Sequence, residues 1–428
     1  MPEVTRRELM PYVFLTHLKT DKFKTGCLSA TLLTALDRET AAKNALIPRV
    51  LLRGTAKHPD MERLAEVRDE LYGAEFEPQV RKKGELQCIG LYASFVDDAC
   101  LPPEEGILQS IIELLGEILL TPRMHNGKFE KDYVNSERDK LLDEIRGRIN
   151  NKRTYALNRL IEHMCDGEAF SVFRLGGEAE AELIDTDALT AQYQALIAKS
   201  PIEIFYSGSA PVDQVEAALV TALKKLPRTE PDFDLGTDVR MNSLEESPRY
   251  FTEEMDVTQG KLSLGFRLGE SMEDPDFAAL RLLHYVYGGS VNSKLFLHVR
   301  ERLSLCYYAS SVLEQCKGLL LVASGIEFSK YDEALGEILA QLRAIAEGDV
   351  SDEELLWAKR ALVTDLRIIR DEQAQLEDFY LQQTILGVDE GLDELIEQVE
   401  RVEKSQIIQI AAGLQLDAVY FLKGEETS

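Results

Sequence analysis

The sequence predicts an α+β fold built from two homologous halves, each a layer of strands packed on helices. Three observations carry that prediction. The chain resembles itself at an offset of about 230 residues, a polar stretch separates the two copies, and within each copy strand-like runs are segregated from long helical ones. At 428 residues the chain also exceeds what one ordinary core organises.

The repeat is read element by element. CLSATLLTAL from Cys27 and KLSLGFRLGE from Lys261 are each a β-like run closed by a polar turn. LAEVRDELYGAEF from Leu64 pairs with LFLHVRERLSLCYY from Leu295, a helix giving way to a strand. KKGELQCIGLYASF from Lys82 pairs with CKGLLLVASGIEF from Cys316, where a glycine opens an alternating strand. Helices follow in both copies, GILQSIIELLGEILL from Gly106 and YDEALGEILAQLRAIAEG from Tyr331, and PIEIFYSGSAPVDQVEAALVTAL from Pro201 adds a strand, turn and helix. Arg228 to Arg249, polar with two prolines and a glycine, reads as a linker. The division is therefore an N-terminal half at 1–227, a linker at 228–249 and a C-terminal half at 250–428. Two such halves would face each other across a cleft, where ligands commonly bind.

Residues 45–55, ALIPRVLLRGT, continue the helix formers DRETAAKN that begin at Asp37, and the apolar pattern makes this a core helix. Pro48 stands inside it. An internal proline costs about 3 kcal/mol unless the helix kinks or begins nearby.

Composition narrows the function. Hydrophobic residues are 45% and charged residues 29% of the chain, the balance of a globular protein. A net charge of -27 repels phosphate backbones and anionic lipid, so neither nucleic acid nor a membrane surface is an expected partner. The N-terminal stretch has no long apolar core and no window approaches eighteen apolar residues, which makes a cytoplasmic protein the expectation. Six cysteines without a C-x-x-C pair read as buried reduced thiols. Six dispersed histidines offer no pair within a helical turn, the usual zinc geometry. His58 and Glu62 have metal-like spacing, but Pro59 favours a solvated helix start. GGSVNS from Gly288 lacks the phosphate-loop pattern and reads as a turn.

The order of elements and the stretch SKLFLHVRERLSLCYYASS from Ser293, with SDEELL and AKRALVTDLRIIRDE further on, resemble the pitrilysin/insulinase-like zinc metallopeptidases, the family of the mitochondrial processing peptidase subunits. The resemblance implies two homologous α/β-sandwich halves forming a clamshell. In active members a first-half helix carries His-x-x-Glu-His shortly before Gly-Thr, two zinc ligands and a general base. Counting back from Gly54-Thr55, those positions here hold Ala45, Pro48 and Arg49. None can serve: alanine has no donor, proline no base, and arginine stays protonated. The third ligand position falls near Asn135, or on Glu137 if the alignment shifts by two. The resemblance thus implies no catalytic residue in this chain, no metal and no cofactor. It further implies that Arg300 and Tyr307, seven apart, match a pair that holds substrate backbone near the scissile bond. Their chemistry suits that role, a forked donor for carbonyl oxygens and a phenol for a developing oxyanion.

Within the family the chain resembles a YmfF-like bacterial group that accompanies an elongation factor P aminopentanol-modification system. The leading expectation is an inactive subunit that pairs with a zinc-bearing paralogue as a heterodimer, or with itself as a homodimer. Together they would act on a peptide or unfolded protein substrate. The alternatives are a scaffolding member and an active peptidase with an unrecognised site.

Overall fold

The computed structural model describes residues 3–233, 247–268 and 277–424. Two compact units emerge, each assembled from three stretches of chain. Unit 1 is Met1–Arg146, Val172–Gly236 and Gln373–Ile385; unit 2 is Gly147–Ser171, Thr237–Glu372 and Leu386–Ser428. The halves read from the repeat are stretches of sequence. Each compact unit takes one helix from the other stretch.

In chain order unit 1 begins with β1 (Glu3–Met10), β2 (Val13–Lys19), β3 (Thr25–Ala35), α1 (Arg38–Leu51), α2 (Met61–Glu70), β4 (Glu75–Lys83) and β5 (Leu86–Val96). It continues through α3 (Leu108–Leu120), the short β6 (Met124–His125) and β7 (Lys128–Phe129), and α4 (Lys131–Gly147). Helix α5 (Lys152–Met164) belongs to unit 2, after which α6 (Glu178–Glu182), α7 (Thr186–Lys199), β8 (Ile202–Gly208) and α8 (Val212–Ala222) belong again to unit 1. Unit 2 proper runs β9 (Arg249–Met255), β10 (Gly260–Arg267), α9 (Phe277–His284), β11 (Cys306–Glu314), β12 (Leu319–Ile326), α10 (Tyr331–Ala346) and α11 (Asp352–Ile369). Helix α12 (Gln373–Leu386) lies in unit 1 for nearly all its length, and α13 (Leu392–Arg401), α14 (Lys404–Gly413) and β13 (Gln415–Gly424) complete unit 2.

The sheets repeat one topology. Unit 1 has the order β1-β2-β8-β3-β5-β4, and unit 2, read in the matching direction, has β9-β13-β10-β12-β11. In each sheet only the pairs β2·β8 and β9·β13 are parallel. Strand β1 is the addition in unit 1. The turns repeat as well: Tyr72 (φ 58°) and Ser304 (φ 50°) take left-handed backbone just before the edge strands β4 and β11, and Gly84 and Gly318 do so inside the hairpins that follow. A non-glycine residue rarely adopts that conformation, so its recurrence marks one ancestral turn used twice.

Local chemistry explains the elements. Asp37, Asp60 and Asp185 accept backbone N–H groups at the starts of α1, α2 and α7, and Ser351 forms a capping box with Glu354 at α11. The central strands β3, β8, β10 and β12 are buried almost end to end, because helices cover both sheet faces. One face of the first sheet and α1, α3, α4, α7 and α8 share a single core that includes Leu15, Leu28, Leu46, Ile111, Leu141 and Val215.

The opposite face of each sheet is covered by the helix taken from the other half. On the first sheet α12 is held by polar contacts. Arg81 donates both terminal nitrogens to Glu377 at 2.5 and 2.7 Å, Lys83 reaches Asp378 at 2.7 Å, and Ser29 donates to Glu377 at 3.1 Å. On the second sheet α5 is held by an apolar cluster of Tyr155, Leu160, Ile161 and Met164 against Leu319, Leu321, Tyr420 and Leu422. Its approach is close: a Cβ on Gly265 would lie 2.3 Å from the Met164 sulfur. Beyond the helix, fully buried Arg267 binds Glu168 (2.7 Å) and Asp417 (2.6 Å), and fully buried Lys317 reaches Glu168 at 2.9 Å. Arg249 adds a bond to Asp417 at 2.7 Å.

The ends of the expected linker are part of the folded units. Arg228 donates to the carbonyls of Pro11, Ile197 and Ser200, and Arg249 opens β9. Residues 234–246, and the turn expected at Gly269 and Glu270, lie outside the described residues. Five of the cysteines are buried, as read from the sequence, but Cys100 is exposed.

Candidate functional site

The degenerate motif sits on α1, which runs unbroken past Pro48 for three more residues. Ala45 is wholly buried, with no donor atom to offer. The proline faces inward, lining a small apolar pocket with Leu32, Ile89, Leu119, Tyr193 and Ile197. Burial of the ring against those side chains offsets the lost helical hydrogen bond. On the preceding turn, buried Asn44 exchanges side-chain hydrogen bonds with Gln87 (2.9 Å) and Gln192 (2.8 Å), which fasten α1 to β5 and α7.

Arg49 settles which acidic residue faces the motif. Its Nη2 lies 2.5 Å from Glu144 on α4, and Arg174 also reaches Glu144 at 3.3 Å. Neither residue expected from the sequence is there. Glu137 is buried and bound to Arg53 (2.9 Å) and Lys140 (2.7 Å), while half-buried Asn135 makes no hydrogen bond to this cluster among the described residues. The signal for Glu144 was its spacing: it stands two helical turns beyond Glu137, on the same face of α4. These residues do not fit a zinc ion, since the helix offers no ligand and presents a guanidinium where a cation would bind. Among the described residues no group of three or more His, Cys, Asp or Glu side chains could hold a metal.

The retained Gly54-Thr55 has a structural use. The Thr55 hydroxyl accepts the His58 N–H (2.8 Å) and donates to Glu117, and His58 Nδ1 meets the same Glu117 oxygen at 2.9 Å. His58 therefore pairs with α3, and not with Glu62.

Arg300 and Tyr307 both lie in unit 2 and both face solvent. Arg300 belongs to Leu295–Arg302, eight residues of π-helix, with a second π-helical stretch at Tyr285–Gly289 close before it. The sequence reads as an ordinary helix, and such wide turns are rare and concentrate at functional sites. The Arg300 side chain is 42% exposed, and its guanidinium stacks 4.6 Å from the Phe296 ring centre and lies 3.5 Å from Glu301. Tyr307 is on the edge strand β11 where the register with β12 slips: Cys306 opposes Ile326 and Tyr308 opposes Gly325, leaving Tyr307 as the extra residue of a bulge. Bulges of this kind re-aim a side chain. Tyr307 is accordingly 63% exposed, between buried Cys306 and half-buried Tyr308, which carries the Arg153 guanidinium on its ring at 4.3 Å. Neither residue fills the core.

Comparison with known proteins places the chain in a family. Residues 184–362 match the family model described as the Peptidase M16 inactive domain. A Bacillus subtilis (strain 168) protein named "Probable inactive metalloprotease YmfF" is 33% identical over 411 residues, covering 96% of this chain and 95% of its own. A conserved protein from Enterococcus faecalis V583 superposes with a TM-score of 0.89 at 27% identity, over 99% of both chains. A Peptidase M16 inactive domain from Pseudomonas fluorescens shares the fold at a TM-score of 0.78 and 16% identity, covering 100% of this chain and 98% of that one. With this kinship along nearly its whole length, the chain belongs to the M16 metallopeptidase family, alongside relatives that are named as inactive.

Proposed function

We propose that this chain is the non-catalytic subunit of a two-subunit peptidase, pairing with a zinc-bearing paralogue and lending Arg300 and Tyr307 to that partner's substrate cleft. The observation that carries the reading is the contrast between the two halves of the family's chemistry. The metal positions have been absorbed into packing and ion pairs, whereas Arg300 and Tyr307 stay at the surface, aimed outward by a π-helix and a bulge. A guanidinium and a phenol there can grip a peptide backbone and an oxyanion without any metal of their own. No helix among the described residues is long and apolar enough to cross a membrane.

The test is reconstitution with a paralogue that has an intact His-x-x-Glu-His. Arg300→Ala and Tyr307→Phe should each lower the complex's kcat/KM by about 100-fold to 1000-fold, the usual cost of one oxyanion donor. Each variant alone should melt with the wild type. Stable pairing with unchanged turnover in both variants would overturn the proposed role and favour a scaffold.

A further inference from the structure

The absent metal leaves a mechanical question, because a metal held by residues of α1 and α4 would tie those helices together. In this chain the two helices share few close backbone contacts. Long side chains span the gap instead. Arg49 at the second ligand position of the motif reaches Glu144 at 2.5 Å, and the other carboxylate oxygen is taken by Arg174 at 3.3 Å. At the end of α1, Arg53 repeats the arrangement with Glu137 at 2.9 Å, its guanidinium 4.9 Å from the centre of the Tyr133 ring.

We infer that the Arg49 guanidinium has taken over the bridging a metal would perform, so that a built-in cation, and no bound ion, fastens α1 to Glu144 of α4. Three features support this. The link runs between the degenerate motif and an acidic residue of the facing helix. Arg49 is mostly buried, and its Nε has no hydrogen-bond partner, so the contact with Glu144 is made through Nη2. A planar fork is also suited to a carboxylate in a way that lysine is not. The arrangement repels a metal as well, since a dication entering here would meet a fixed positive charge.

The experiment is a double-mutant cycle on the full chain, read by thermal unfolding with zinc or chelator added. Arg49→Met and Glu144→Gln should each lower Tm by about 3 °C, and the double variant should lose no more than the worse single one. Arg174→Met should cost less, its contact being longer. Neither zinc nor chelator should move the wild-type Tm. The charge swap, Arg49→Glu with Glu144→Arg, should recover at least half of the loss and guards against variants that fail for reasons of packing. Additive losses, a Tm unchanged by the single substitutions, or a swap no better than either single variant would each overturn the inference. So would a wild-type Tm that falls on adding chelator.

Discussion

Replacing Glu168 with glutamine tests how the helix taken from the first half is held on the second sheet. Glu168 is 4% exposed and accepts from Arg267 at 2.7 and 3.4 Å and from Lys317 at 2.9 Å. Glutamine keeps the size and one acceptor oxygen, but it removes the charge and turns the other oxygen into an NH2 donor that faces Arg267 or Lys317. The cluster then goes from three cations and two carboxylates (Arg249, Arg267 and Lys317 against Glu168 and Asp417) to three cations and one. Uncompensated charge in so buried a site costs about 3–5 kcal/mol. The amide's remaining hydrogen bonds place the expected loss near the lower end, about 3 kcal/mol. For a unit of this size each kcal/mol is worth about 2–4 °C, so Tm should fall by about 6–12 °C. Scanning calorimetry at pH 7 measures that shift, and hydrogen exchange should show α5 losing protection before α1 does. A variant that melts within about 2 °C of the wild type, with α5 equally protected, would refute the view that this buried cluster anchors the helix.

Three further predictions follow from burial. Desolvation lifts the carboxyl of Glu203 to about 7 from 4.5 against the opposing pull of Arg6; between those values the folded chain holds a proton that the unfolded chain has released, so stability should decline as pH rises from 4.5 to 7. Denaturant titrations should show that slope, and Glu203→Gln should remove it. Burial holds the imidazole of His284, 2.8 Å from the Ser311 hydroxyl, down at about 4. The unfolded chain alone binds that proton between 6.5 and 4, so stability should fall as pH drops through the window, and His284→Gln should lessen the fall. Gly265→Ala should destabilise by about 1–3 kcal/mol through its clash with Met164, and Met164→Ala in the same chain should relieve part of the loss in urea unfolding.

Much of the architecture was legible because the repeat is written in short-range patterns. The hairpin glycines and the helix that gives way to a strand before Tyr308 both act over a few residues, and each lies where the sequence placed it. What pattern could not supply was destination. Helices α5 and α12 are predictable as helices, but nothing within Lys152–Met164 says that its apolar stripe packs on Leu319 and Tyr420. Position in the chain suggested its own half. At the motif, Ala45, Pro48 and Arg49 declared the missing chemistry by residue type alone, whereas the facing carboxylate depended on a helix-to-helix register that counting along one chain missed by a full two turns from Glu137 to Glu144. The π-helical winding around Arg300 and the bulge at Tyr307 were equally hidden, since both insert a residue into a pattern that otherwise reads as regular.

The exchanged helices have a consequence for the order in which the chain can mature. A protein made from its N-terminus commonly folds its leading domain while the rest is still being synthesised. Here unit 1 needs Gln373–Ile385, so it stays incomplete until residue 385 of 428 has been made. Until then Arg81 and Lys83 on the nascent sheet lack the carboxylates of Glu377 and Asp378. Helix α5, made early, must wait for β10, β12 and β13 before its apolar side is covered. Neither unit is therefore finished until its last element, α12 for unit 1 and β13 for unit 2, has been made, and a product stalled or truncated before then would present both an uncovered apolar helix and an unfinished sheet to the cell's chaperones and proteases.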